Sequence, residues 1–320
     1  MINKKTGILA LLLCFCLHLM STHALAASTT EAVEPMAPEK ACSLTVSYCC
    51  DQTAFSDMQV KLYRIAEVSA DLSYTLTRSF ETTGLVFHEI KTTGEWNVAC
   101  STLEAHILAN DLAPDATAVT DREGQAGFDA LKSGMYLAIV HQPAQDDLRC
   151  RFDPALIPLP GLGQDGRWQY QVSVNAKGEL LPPVKPDGEV SLKVLKLWKG
   201  DEGRNDRPKS IQVEIFCNGI SYKKVQLSEE NHWKYSWTAK DDGSNWTVVE
   251  RNVPKGYTVT VEERETSFVL TNTRIPTQPG DPVDPPQTGD TSNILLYIWI
   301  MVAAGMLLII LGITGKKKQL

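Results

Sequence analysis

Three polar residues occupy positions that the surrounding pattern reserves for apolar side chains. Side chains alternate between the two faces of a β-strand. Leu192, Val194, Lys196 and Trp198 therefore share one face, Trp246, Val248 and Glu250 a second, and Phe268, Leu270 and Asn272 a third. A lysine, a glutamate and an asparagine each stand on what reads as a core face. Burying them separately would be costly. An apolar setting makes the neutral amine of Lys196 available as a nucleophile, and it favours the protonated carboxyl of Glu250. The alternative is that Lys196 snorkels outward and Asn272 caps an edge. Lys193 competes as the reactive lysine, but its opposite parity points it to solvent.

The elements that would position these residues are short strands punctuated by turns. Residues 189–274 hold apolar, β-branched runs at 194–198, 207–215, 231–235, 246–250 and 268–273, with Asn218-Gly219 as a tight turn. Strand after strand of this kind argues a β-sandwich. Upstream, residues 43–48 and 58–65 alternate as strands, 134–140 form an apolar strand, and 168–174 close a first unit. Residues 120–126 read as a turn. Leu103, Ile107 and Leu108 recur at helical spacing after a Ser101/Thr102 cap, which predicts one short helix. Residues 178–188, with Pro182, Pro183 and Pro186, read as a linker.

Residues 189–274 resemble the collagen-adhesin B-type (CnaB) domain along their whole length. The resemblance is carried by Val194-Leu195-Lys196-Leu197-Trp198, Asn231-His232-Trp233-Lys234-Tyr235, Trp246 to Glu250, Val253-Pro254-Lys255-Gly256-Tyr257 and Phe268 to Thr273. In that family the matching Lys and Asn condense into an intramolecular isopeptide bond, assisted by the matching Glu. The resemblance therefore implies a Lys196–Asn272 cross-link with Glu250 as catalyst. The carboxyl would polarise the Asn272 carbonyl and carry protons to the departing ammonia. This is one self-modifying event, not enzymatic turnover.

Residues 41–177 resemble the N-terminal domain of Gram-positive pilins. The matching pieces are Val60 to Arg64, Thr120-Asp121 with Gly124, Leu131 with Gly134 to Leu137, and the closing segment from Trp168 to Lys177. That last segment keeps the spacing of the pilin motif WxxxVxVYPK, with Asn175 and Ala176 in place of Tyr and Pro. The resemblance makes Lys177 a candidate acceptor for linkage to another subunit; the alternative is an ordinary surface lysine. Tyr48 stands where a strand lysine would be expected, so covalent support in this unit is assigned to a disulfide.

The two ends speak of export. Lys4 and Lys5, an apolar stretch at 8–19 and Ala24-Leu25-Ala26 form a secretory signal peptide over 1–26, followed by a leader over 27–40. At the other end a Pro-rich spacer (275–292) contains Pro285-Pro286-Gln287-Thr288-Gly289. An apolar span (293–314) and a lysine tail (315–320) follow. This order resembles the LPxTG-type sorting signal of Gram-positive wall proteins, with Pro285 in place of Leu. It implies cleavage between Thr288 and Gly289 by sortase and attachment of Thr288 to peptidoglycan. The same pattern also fits a plain membrane anchor.

The whole chain carries a formal charge of −7, and each end carries +2, which leaves −11 on the exported segment. That charge disfavours nucleic acid as a partner. Cys14 and Cys16 leave with the signal peptide; Cys42, Cys49, Cys50, Cys100 and Cys150 permit at most two bridges, with pairing open. No CxxC spacing, HExxH, phosphate loop or nucleophile elbow occurs, so no metal, cofactor or enzymatic activity is expected. The expected fold class is all-β, with two tandem Ig-like/CnaB-type sandwiches, the first with a short helix, and a C-terminal transmembrane helix. The expected function is a wall-anchored pilin subunit or pilus-like adhesin. Its partners would be sortase, peptidoglycan, other pilin subunits and a surface ligand of the host. The alternative is a monomeric adhesin for a host or dietary ligand.

Overall fold

The computed structural model describes residues 35–140, 150–181, 188–201 and 207–276. The signal peptide, the sorting motif with Thr288 and Gly289, the apolar span and the lysine tail lie outside the described residues. Strands dominate, as the turn-punctuated sequence requires, and they form two sandwich units.

In the second unit, a four-stranded sheet runs in the order Lys234–Lys240, Glu189–Lys199, Ser267–Arg274, Tyr257–Arg264. It faces a three-stranded sheet ordered Ile220–Ser228, Ser210–Cys217, Trp246–Arg251. The opening strand pairs in parallel with the closing one and antiparallel with Lys234–Lys240. The core between the sheets gathers Leu192, Val194, Val213, Ile215, Leu227, Trp237, Val248, Phe268 and Leu270. Asn218 and Gly219 both take positive φ, at 49° and 73°, as a tight hairpin requires. The segment 231–235 departs from the expected strand. His232 and Trp233 adopt left-handed φ of 54° and 58°, and the strand starts only at Lys234. The preceding short helical turn Glu229–Asn231 is closed by a reciprocal bond between Ser228 and Asn231, which diverts the backbone there.

In the first unit, Cys42–Ser47 lies between Gln171–Asn175, parallel, and Gln125–Leu131, antiparallel. A second sheet is built around Gln59–Val68 and Gly134–Val140. Cys50 and Cys150 form a disulfide, so covalent support of the expected kind is present. The residues expected as linker begin with a strand instead: Gly178–Leu180 pairs with Cys150–Phe152 and extends the first unit. The closing segment is also interrupted, with Trp168–Gln169 and Gln171–Asn175 forming separate strands.

The helix departs most from expectation. It spans Thr93–Ala109, 17 residues, and its N-cap is Thr92, not Ser101/Thr102. Thr92 Oγ1 accepts from the Glu95 amide, and Glu95 Oε2 accepts from the Thr92 amide, a complete capping box. Ser101 and Thr102 lie inside the helix.

The helix has two apolar stripes on opposite sides, because residues three and seven apart fall on one face. Cys100, Leu103 and Ile107 pack with Tyr63, Ile65, Leu137 and Ile139 of the first unit. Ala105 belongs to the core cluster of the second unit, and Ala109 packs against it. The helix is therefore held between the two units. Both faces of Gly134–Val140 are covered in consequence, and all seven of its residues are buried. Gly84, at φ +64°, lies so close to Thr258 of the second unit that an added Cβ would come within 3.0 Å of it.

Candidate functional site

The register places the three polar residues at one level of the second sandwich. Asn272 is opposite Trp198, and Lys196 is opposite Leu270, on the parallel pair of strands. Glu250 comes from the facing sheet, where it pairs with Val213. The inward parity read for all three holds, and the side chains of Lys196 and Glu250 have no solvent exposure. Lys193 is exposed, as its parity requires.

Lys196 Nζ lies 3.1 Å from Glu250 Oε2. Asn272 Nδ2 donates to Glu250 Oε1 at 2.8 Å. One carboxylate thus touches both the amine and the amide nitrogen. Lys196 Nζ also donates to the Leu270 carbonyl at 3.4 Å and sits 4.7 Å from the centre of the Trp198 ring. Trp198 is itself fixed edge-on between Trp233 and Tyr257. Burial pulls the Lys196 pKa down to about 8, against the opposing charge and hydrogen bond of Glu250.

It is the nitrogen of Asn272, not its oxygen, that faces Glu250; the buried Oδ1 has no hydrogen-bond partner. In this orientation Glu250 is placed to move a proton from Nζ to Nδ2. Polarisation of the carbonyl by Glu250 requires the amide turned by half a revolution, and the two ends of an amide are near-isosteric.

A second polar group closes the end of the site. The Asp201 carboxylate is fully buried, bidentate to Arg207 at 2.7 and 2.8 Å, and accepts from Tyr257 Oη at 3.1 Å. The Arg207 hydrogen bond is the main force that holds its pKa below the ordinary aspartate range. Sequence reading missed this group because Asp201 follows the strand, where alternation carries no information. Lys177 lies elsewhere, on the first unit, with its side chain 76% exposed and its amine 3.1 Å from Asp153 Oδ2.

The architecture defines an Ig-like β-sandwich whose core holds a buried Lys–Glu–Asn set, and the family match falls on the same residues. Residues 192–273 match the family "Cna protein B-type domain". A curated relative, the collagen adhesin of Staphylococcus aureus, is 31% identical over 213 residues. That alignment covers 58% of this chain and 18% of the adhesin, so the chain spans a small part of that relative's length. Among solved structures, a single B repeat unit of the same collagen-binding protein is 16% identical. It is covered over 99% of its length by 74% of this chain, with a TM-score of 0.26. The major pilin of Corynebacterium diphtheriae is 14% identical, with 78% of this chain and 66% of that one covered and a TM-score of 0.27.

Proposed function

We propose that the chain is a non-enzymatic, wall-anchored surface protein of the pilin or adhesin type, whose second unit cross-links itself between Lys196 and Asn272. The observation that carries this reading is Glu250 bridging Nζ and Nδ2 in a site without solvent. Proton transfer from the Lys196 ammonium to Glu250 leaves a neutral amine. Nζ attacks Cγ of Asn272, the Cγ–Nδ2 bond breaks, and the amide nitrogen leaves as ammonia with protons delivered through Glu250. Glu250 is regenerated, and no oxidant or cofactor is consumed.

The product joins the opening strand to the closing strand. A ring of that length constrains the unfolded chain by about 4–5 kcal/mol, by the loop-entropy estimate used for disulfides. Tension along the chain would then pass through covalent bonds and not through the sheet's hydrogen bonds.

Sortase and peptidoglycan enter through the sequence pattern at Thr288-Gly289, and a host ligand through the match to the collagen adhesin. The test of anchoring is wall fractionation. Muramidase should release the wild-type chain, while a chain with Thr288-Gly289 replaced should stay in the membrane fraction or the medium. Equal release of both contradicts sorting.

Polymerisation through Lys177 and single anchoring as an adhesin are separated by Lys177→Arg, which keeps the charge and removes the primary amine. Loss of a high-molecular-weight ladder supports a shaft subunit. The Lys177–Asp153 ion pair favours neither reading, because an exposed pair of this kind is too weak to withhold the amine.

A further inference from the structure

We propose that the helix Thr93–Ala109 of the first unit is a docked lid over the open seam of the second sandwich, and that its docking is what permits the Lys196–Asn272 condensation. This rests on the isopeptide reading above. Trp246–Arg251 ends one sheet and Tyr257–Arg264 ends the other, so these two strands border one side of the sandwich. An uncovered seam there would leave strand-edge amides and the carboxylate strand facing water.

The helix meets both border strands. Thr102 Oγ1 accepts from the Val261 amide at 2.9 Å, a buried bond that satisfies an edge donor. Arg251, next in sequence to Glu250, donates from Nη1 to the Ala109 carbonyl and from Nε to Glu214 at 2.6 Å. Val249 has the parity opposite to Glu250 and points away from the sandwich core, yet it is only 1% exposed and shares a cluster with Ala105. A cleft of about 410 Å³ remains between helix and sandwich, and its wall includes Thr102, Ala105, His106, Glu250 and Tyr257. The Glu250 side chain itself has no exposure in the docked state; removal of the helix opens the outer face of the strand that carries it.

The consequence is chemical. Condensation needs a neutral amine, which a dry site favours. Thr102 and Ala105 touch neither reacting atom; they are positioning residues that act through desolvation. The reaction would then follow assembly of the two units, and the cross-link would record that they had docked.

The test uses the full exported segment, 27–288, made by cell-free synthesis and followed by intact mass over time at several pH values. Ala105→Arg puts a long charged side chain into the contact; Thr102→Val keeps the shape and removes only the Val261 bond; Ala105→Ser is the conservative control. Expected is ammonia loss about tenfold slower in Ala105→Arg, since the neutral fraction falls tenfold for each unit by which the amine pKa rises. Its rate should still climb above pH 8, where the wild type levels off. Thr102→Val should be slowed several-fold, and Ala105→Ser should match the wild type. Wild-type rates in both Ala105→Arg and Thr102→Val overturn the lid. A wild-type chain that never loses ammonia overturns the isopeptide reading itself, and the lid with it.

Discussion

Lys196 Nζ lies 3.1 Å from Glu250 Oε2, and neither side chain has any exposure to solvent. A buried pair of this kind is weak evidence for stability, because desolvation offsets much of the attraction. Asn272 completes the set at 2.8 Å, the arrangement that the proposed cross-link requires.

Replacing Glu250 by Gln keeps the shape and removes the proton carrier. The variant should retain its full mass and melt well below the wild type, having lost the ring's contribution of about 4–5 kcal/mol together with the buried ion pair. Calorimetry and intact mass on the same sample check both parts. Ammonia loss at the wild-type rate would remove Glu250 from the mechanism.

Asn272→Ala cannot condense and leaves Lys196 to titrate. Its pKa is about 8 in the folded chain against 10.5 for a free lysine. Between these values the unfolded chain holds a proton that the folded chain has released, so stability should rise with pH across that window. Below about pH 8 the penalty for burying the charge is present in full. Chemical denaturation of Asn272→Ala beside a Lys196→Met/Asn272→Ala control isolates the Lys196 part of the slope as the difference between the two, and equal slopes would contradict the assignment.

Glu104 titrates with the opposite sign. It is buried on the helix, and burial, with the charge of Glu263, raises its pKa to about 8. From the ordinary carboxylate value of 4.5 up to about 8 the folded chain holds the extra proton. Stability should therefore fall as pH rises through that range. Glu104→Gln should flatten that fall, and a profile unchanged by the substitution would place the proton elsewhere.

The cysteines sort by burial and pairing. Cys49 is exposed, Cys42 and Cys100 are buried, and Cys50 is bonded to Cys150. In the folded chain a thiol reagent should modify Cys49 quickly and Cys42 and Cys100 only on unfolding. Loss of the bridge in a Cys50→Ala/Cys150→Ala variant should cost about 2–5 kcal/mol.

Alternation made the second unit legible. Lys196, Glu250 and Asn272 could be placed inward from parity alone, because one-residue slips on a half-buried sheet reverse every side chain. The helix was misplaced because its two stripes, on opposite sides, cancel the single-faced pattern by which amphipathic helices are recognised. Thr92 and Glu95 carried the true start signal, a Thr-x-x-Glu capping box. The strand Gly134–Val140 carried the other clue, since an unbroken apolar run marks burial on both faces. Nothing local could reveal that the second cover is shared with another unit, or that Thr102 bonds Val261 across 159 positions. The diversion at His232 and Trp233 arises from a turn closed by Ser228 and Asn231, residues equally at home in strand ends.

The most direct test of the central claim is the intact mass of folded residues 27–288. The account predicts a value below the sequence mass by one ammonia, beyond the two hydrogens lost in the Cys50–Cys150 bridge. Peptide mapping should place the missing ammonia between Lys196 and Asn272. A folded wild-type chain whose mass falls short by the disulfide hydrogens alone would contradict it.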